Sequence, residues 1–307
     1  MSDPCPLPPG MAVLERGWLS SNNVVFHDPE GASVVDTGYV THGARTLALL
    51  DEALAGRPLT RIINTHLHSD HVGGNALLQR HHPACRTWIP PGQREAVDDW
   101  DEERLKYRAI GQQCERFTVD EVLSLDDTLT LGGLDWRVLP AAGHDADMVM
   151  LWCEREGLLI SADALWQNGF GVIFPELSGE PGFADQQATL DVIVQLAPRL
   201  VIPGHGAPFT EVAAAVQAAQ SRLQYFIQEP RRHADNALKG LVAFTLLERL
   251  RMPEGEVRAL IEQHLLPLPG MRDLYPEGPE AITAWVMAQL VRVQAADLDG
   301  RTLVART

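Results

Sequence analysis

The stretch His66-Leu67-His68-Ser69-Asp70-His71-Val72-Gly73-Gly74 holds four side chains of metal-ligating type within six positions. It follows a short apolar run, residues 61–65, that reads as a buried strand. On an extended segment alternate side chains share a face, so His66 and His68 point the same way. Asp70 and His71 fall where the pattern turns helical, over residues 72–80, and aim at a neighbouring position. Gly73 and Gly74 lack a Cβ and let backbone pack closely behind the loop. Imidazole and carboxylate donors without thiolate suit Zn, Mn or Fe.

Such a cluster needs partners from elsewhere in the chain, and three isolated segments offer them. His144 sits in Ala142-Gly143-His144, after a strand-like run ending at Pro140. Asp163 closes Ser161-Ala162-Asp163, and His205 lies in Pro203-Gly204-His205-Gly206 after another such run. Each segment sets one ligand-type residue at a strand end beside small residues, the way a site is built on rigid elements. Any one of them alone is a weak signal; their agreement is the evidence.

Around these segments, residues 11–19, 23–26 and 32–35 read as strands, 41–54 as a helix and 84–89 as a strand. The acidic 92–121 region reads as largely helical. Strands at 128–131, 135–139, 148–152 and 158–161 follow, then a helix at 183–196 and a strand at 200–202. Two strand-rich halves with helices imply two sheets packed face to face with helices outside. From about residue 211 the pattern is helical: 212–228, broken at Pro230, then 236–251, 254–266 and 280–295. Asp299-Gly300 between β-type runs signals a hairpin turn. The expected division is therefore a catalytic domain at 1–228 and a helical, winged-helix-like domain at 229–307.

The 307 residues carry 41 acidic against 25 basic side chains, a formal net charge of −16. Only two of the bases are lysines, Lys106 and Lys239. A surface that grips nucleic-acid phosphates usually has the opposite sign, so the expected partner is a small molecule. Cys5, Cys85, Cys114 and Cys153 are far apart with no CxxC pair, which argues against a disulfide scaffold and a thiolate zinc site. The N-terminal MSDPCPLPPGM has no basic run followed by an apolar stretch, and no run reaches the ~18 apolar residues of a membrane span, so a cytoplasmic chain is expected.

The ordered set His66, His68, Asp70, His71, His144, Asp163 and His205 resembles the metallo-β-lactamase superfamily, whose pattern is HxHxDH followed by a later His, Asp and His. The resemblance covers roughly residues 11–210. It implies an αββα sandwich of two mixed sheets with two divalent metals, zinc first and Mn or Fe as alternatives, at one edge. By the same resemblance His66, His68 and His144 hold one metal, Asp70, His71 and His205 the second, and Asp163 bridges both. Asp36 matches an early Asp that supports the metal loop from behind. Two metals ~3.5–4 Å apart can hold a hydroxide between them that attacks a carbonyl or phosphoryl group. Asp70 is then a candidate to orient the attacking water as well as to bind metal.

These features imply a binuclear hydrolase of a small ester, thioester or lactone. A metal-dependent endoribonuclease acting on single strands is the second reading, because the helical tail looks most like the lactamase-β-like branch. A mononuclear iron persulfide dioxygenase is the third. The aspartate at 163 and the absence of a secretory leader argue against a true β-lactamase. Glyoxalase II grips glutathione with basic residues, and the lack of any lysine between Lys106 and Lys239 argues against that enzyme proper. Trp166, Asn168, Phe170 and Phe174 follow Asp163 and are candidates for a pocket wall or for plain loop packing. Arg231-Arg232-His233 reads as a solvated junction before an anion site. The six histidines outside the set (His27, His42, His81, His82, His233 and His264) read as surface or satisfied side chains. The amphipathic C-terminal helices read as core and as subunit contact, so a homodimer is an expectation.

Overall fold

Val24 and Phe26 face one side of a strand and Val25 the other, and all three are buried. A strand that is apolar on both faces must be covered on both. The computed structural model describes residues 6–306, so the readings of Cys5 and of the first five residues fall outside it. Six strands form one sheet in the order of the chain: β1 (Met11–Leu14), β2 (Asn23–Asp28), β3 (Gly31–Val35), β4 (Leu59–Ile63), β5 (Arg86–Ile89) and β6 (Glu121–Val122). The first three pair antiparallel and the last four parallel, so the sheet is mixed. The second sheet runs β11 (Leu200–Pro203), β10 (Leu158–Ala162), β9 (Val149–Cys153), β8 (Leu134–Pro140), β7 (Thr128–Leu131), with only β10 and β11 parallel.

Between the sheets, Val24, Phe26, Val35 and Ile63 pack against Trp136, Val138, Leu151, Ile160 and Ile202. The outer face of the first sheet is covered by α1 (Gly43–Leu54) through Leu50 and Leu54, and by α3 (Asn75–His81) through Leu78. The outer face of the second sheet is covered by α6 (Phe183–Leu196) and α7 (Val212–Gln228) through Leu190, Ile193, Val216 and Leu223. The four layers are the αββα sandwich that the sequence pattern implies.

Short helices fill the connections: α2 (Ser69–Val72), α4 (Arg94–Asp99) and α5 (Phe174–Leu177). The expected helix over 72–80 is split, because Gly73 and Gly74 pass so close to Val40 and Thr37 that a Cβ would overlap their backbone. The helical reading of 92–121 is corrected: α4 ends where Trp100 turns left-handed, and the chain then runs as turns and loop up to β6. Leu105, Tyr107, Phe117 and Val119 there bury against Leu67, Val72 and Ile89, so packing over the metal loop overrides helical propensity. The strand expected at 11–19 stops at Leu14, because Arg16 turns inward. Its guanidinium donates to Asn23 and Thr46, and its amide donates to Asn22.

The C-terminal region carries α8 (Pro230–Arg249), α9 (Glu254–Leu260), a π-helical turn (Ile261–Leu265) and α10 (Gly278–Arg292). A third sheet, β12 (Arg251–Pro253), β14 (Thr302–Ala305) and β13 (Ala296–Asp299), closes it, with the Asp299-Gly300 turn joining β13 to β14. Pro230 begins α8 at its first turn, where its missing N–H costs nothing. This region has its own core around Leu238, Leu246, Ile261 and Val286, joined by Phe174 and Leu177 from the sandwich side. No helix among the described residues is long and apolar enough to cross a membrane.

Candidate metal centre

The seven candidate ligands leave the carboxyl ends of strands at one edge of the two sheets. His66, His68, Asp70 and His71 follow β4, His144 follows β8, Asp163 follows β10 and His205 follows β11. The fold brings all seven together in two groups, His66–His68–His144 and Asp70–His71–Asp163–His205, each with its ligand atoms within 4.8 Å of one another. All seven are buried. The two clusters are able to hold two metal ions.

Side-chain contacts fix which atoms face inward. Nδ1 of His66 lies 3.1 Å from Thr65 Oγ1, leaving Nε2 buried with no hydrogen-bond partner. Nδ1 of His71 donates to Asp36 Oδ2 at 2.8 Å, and its Nε2 is likewise unpartnered, 3.6 Å from Asp163 Oδ1. Nδ1 of His144 donates to the Val172 carbonyl at 2.6 Å, so Nε2 turns inward, 2.7 Å from His68 Nδ1 and 3.4 Å from Asp163 Oδ2. His205 Nε2 lies 3.0 Å from Asp70 Oδ2 and 3.8 Å from Asp163 Oδ2. Buried imidazole nitrogens without a partner are rare, because an unmade hydrogen bond is costly. Aimed at two carboxylates, they fit divalent cations of nitrogen- and oxygen-binding type.

The electrostatics agree with that fit. Burial, then the neighbouring imidazoles, holds His66 well below the usual histidine range. Burial pushes His68 and His144 down to about 4, so both are unprotonated donors at neutral pH. Burial would lower His71 too, but Asp36, Asp163 and Asp70 outweigh it and raise it well above its ordinary value. Burial would raise Asp70 and Asp163, but His71 and His205 outweigh it and keep both carboxylates ionised.

The backbone around the site is tight and in places strained. Asp36 has φ 56° and Ala162 φ 47°, left-handed values that cost free energy for residues other than glycine. Asp36 also accepts from the Thr65 amide at 2.9 Å and from Thr65 Oγ1 at 2.8 Å. The expected supporting carboxylate is therefore fixed to the strand end that delivers His66. At Gly204 a Cβ would overlap Asp163 Oδ1, and at Gly171 one would overlap the His144 ring.

A cavity of about 630 Å³ opens from the clusters. Of the four loop residues after Asp163, Trp166, Phe170 and Phe174 line it. Trp166 Nε1 donates to Asp163 Oδ1 at 3.1 Å, and the Phe174 ring lies 4.6 Å from His68. Asn168 lends its carbonyl to Arg222. Trp18 was not among the candidates: 58% exposed, it stacks on His205 at 5.5 Å and meets Trp166 edge-on at 5.3 Å. Nothing in its local sequence marks it, since the Arg16 turn that places it is tertiary. The far wall comes from α8, with Leu241, Phe244 and Leu247.

Arg222 and Lys239 line the same cavity, and neither has an acidic partner at ion-pair distance among the described residues. Arg222 donates to Asn236 Oδ1 at 2.7 Å and lies over the rings of Phe170 and Phe226. Two side-chain cations thus stand in the cavity, although no lysine lies between Lys106 and Lys239. The 231–233 group divides: Arg231 pairs with Glu277 and Arg232 with Glu229, while His233 is buried.

The model of the metallo-beta-lactamase superfamily matches residues 16–205. A probable metallo-hydrolase of Bacillus subtilis, YqjP, is 24% identical over 62% of this chain and 67% of its own length. A hydroxyacylglutathione hydrolase of Nitrobacter winogradskyi is 35% identical over 49% of this chain and 50% of its own, so the chain spans about half of that relative. Among solved structures, a metallo-beta-lactamase family protein of Thermus thermophilus, TTHA1429, superposes with a TM-score of 0.60 over 98% of this chain and 100% of its own, at 19% identity. With the family model matching more than half of its length, the chain belongs to the metallo-beta-lactamase superfamily, whose fold it shares over nearly all of its residues.

Proposed function

We propose that the chain hydrolyses a small acyl substrate, a thioester before an ester or lactone, at a centre of two zinc ions. His66, His68 and His144 would hold one ion, Asp70, His71 and His205 the other, and Asp163 both. Bound there, the ions would supply a water nucleophile at neutral pH and polarise the scissile carbonyl. Asp70, 3.0 Å from His205, would orient that water, and the Trp166 indole fixes the Asp163 carboxylate. Trp18, Trp166 and Phe174 line the cavity beside the clusters and offer an apolar surface to the acyl group.

The observation that carries the substrate reading is the cavity. It is a pocket open on one side, with an apolar α8 wall and two side-chain cations that lack acid partners. That suits an acyl group joined to an anionic leaving half better than a polymer threaded through a groove. The relatives named hydroxyacylglutathione hydrolase support a thioester. Cys85, Cys114 and Cys153 are free thiols, in keeping with action in the cytoplasm.

The test is turnover by the zinc-loaded protein on thioesters, lactones, simple esters and single-stranded RNA, with Asp163→Ala as the blank. Thioester turnover that vanishes in the variant supports the proposal. Zinc-dependent RNA cleavage with inert acyl substrates overturns it in favour of a nuclease.

A further inference from the structure

One peptide unit, Val172–Ile173, stands between a candidate ligand and the C-terminal region. Its carbonyl accepts from His144 Nδ1 at 2.6 Å, and its N–H donates to Nε2 of His233 at 3.1 Å. His233 lies in the first turns of α8, 3% exposed, with Phe183 and Phe226 packed edge-on against its ring at 5.3 Å each. Because Nε2 accepts, the ring proton is on Nδ1. Burial, with Arg222 nearby, pushes the imidazole down to about 4, so it stays a neutral acceptor at neutral pH.

A trans peptide is planar, and its N–H and C=O point in opposite directions. Fixing the N–H therefore fixes the carbonyl. The adjoining amides also bind candidate ligands: Gly171 N donates to the Asp163 carbonyl at 2.9 Å and Phe174 N to the His144 carbonyl at 3.1 Å. Each of these contacts is local to the sandwich except the one from His233.

We propose that His233 is a positioning residue for the metal centre, aiming the Val172 carbonyl that holds His144 in its ligating tautomer and orientation. The inference rests on the reading of His144 as a ligand. It makes the C-terminal region a support of the first metal cluster as well as a wall of the cavity. Outer partners of metal-bound histidine typically govern affinity by 10–100-fold.

The experiment titrates the metal-free full-length protein with zinc against a chromophoric chelator, for wild type, His233→Leu, His233→Gln and His144→Ala. Glutamine can accept from the Ile173 amide and leucine cannot. The expected result is that His233→Leu weakens one of two zinc sites roughly 10–100-fold, leaves the other unchanged, and lowers kcat with little change in KM. His233→Gln is expected to stay within about threefold of wild type, since the acceptor is kept. If His233→Leu fails to fold, His233→Met takes its place. Wild-type zinc affinity in the folded leucine or methionine variant, or equal weakening by glutamine, overturns the proposal. Full zinc binding by His144→Ala instead overturns the ligand assignment beneath it.

Discussion

The Asp36 carboxylate accepts from Nδ1 of His71 at 2.8 Å and from the amide and hydroxyl of Thr65, so one side chain on β3's end orients the loop delivered by β4. It does so from a left-handed backbone, φ 56°, which asparagine tolerates and most residues do not. Asp36→Ala is expected to weaken zinc at the His71 cluster roughly 10–100-fold. Asp36→Asn, which keeps the backbone and an acceptor, loses less. Metal content after dialysis against graded chelator distinguishes them, and equal retention by both would deny Asp36 this role.

Gly204 leaves no room for a side chain beside Asp163 Oδ1. Gly204→Ala should displace the carboxylate shared by the two clusters, with loss of metal and activity while the circular dichroism spectrum is kept. His66→Ala and Asp163→Ala should lose metal and activity together. Full metal stoichiometry in either of the last two would remove that residue from the ligand set.

The metal-free protein should lose stability on mild acidification. His68 and His144 titrate near 4 in the fold against 6.5 in the open chain, so the unfolded state binds more protons between these values. Their contribution is complete above 6.5 and is lost as pH falls toward 4, at about 1.4 kcal/mol per pH unit for each histidine near the middle of the window. His71, raised by its carboxylates, works the other way: its contribution is complete below 6.5 and fades as pH rises through its folded value. Urea midpoints of the metal-free chain at pH 7 and pH 5 test this. His144→Gln should show a shallower fall than wild type, and a midpoint that does not move would refute the assignment.

Phe174 and Arg222 stand at different parts of the cavity, one beside His68 and the other held by Asn236. Phe174→Ala should change the ranking among acyl groups. Arg222→Leu should raise KM roughly tenfold for substrates with a carboxylate in the leaving half, the order of one charge-assisted hydrogen bond, and leave neutral esters unaffected. Uniform losses across the panel would mark both as packing residues.

The histidines and aspartates of the site were legible in the sequence because ligands at strand ends depend on local order. A strand period places His66 and His68 on one side, and small residues flank His144, Asp163 and His205. The apolar runs of β2, β3, β9 and β10 likewise announced sheets covered on both faces. Residues 92–121 misled because their acidic, helix-prone composition is overruled by Tyr107, whose hydroxyl donates to the Leu67 carbonyl, and by Leu105 and Phe117 beneath the metal loop. Trp18, Arg222, Lys239 and His233 carry no local signal. Each acts across a long sequence separation, on His205, on the cavity, and on the peptide behind His144. Local chemistry and periodicity thus determined the candidate ligand set and the sheets by themselves. Only tertiary packing decided the walls and supports of the site, since those depend on contacts between segments that no local pattern encodes.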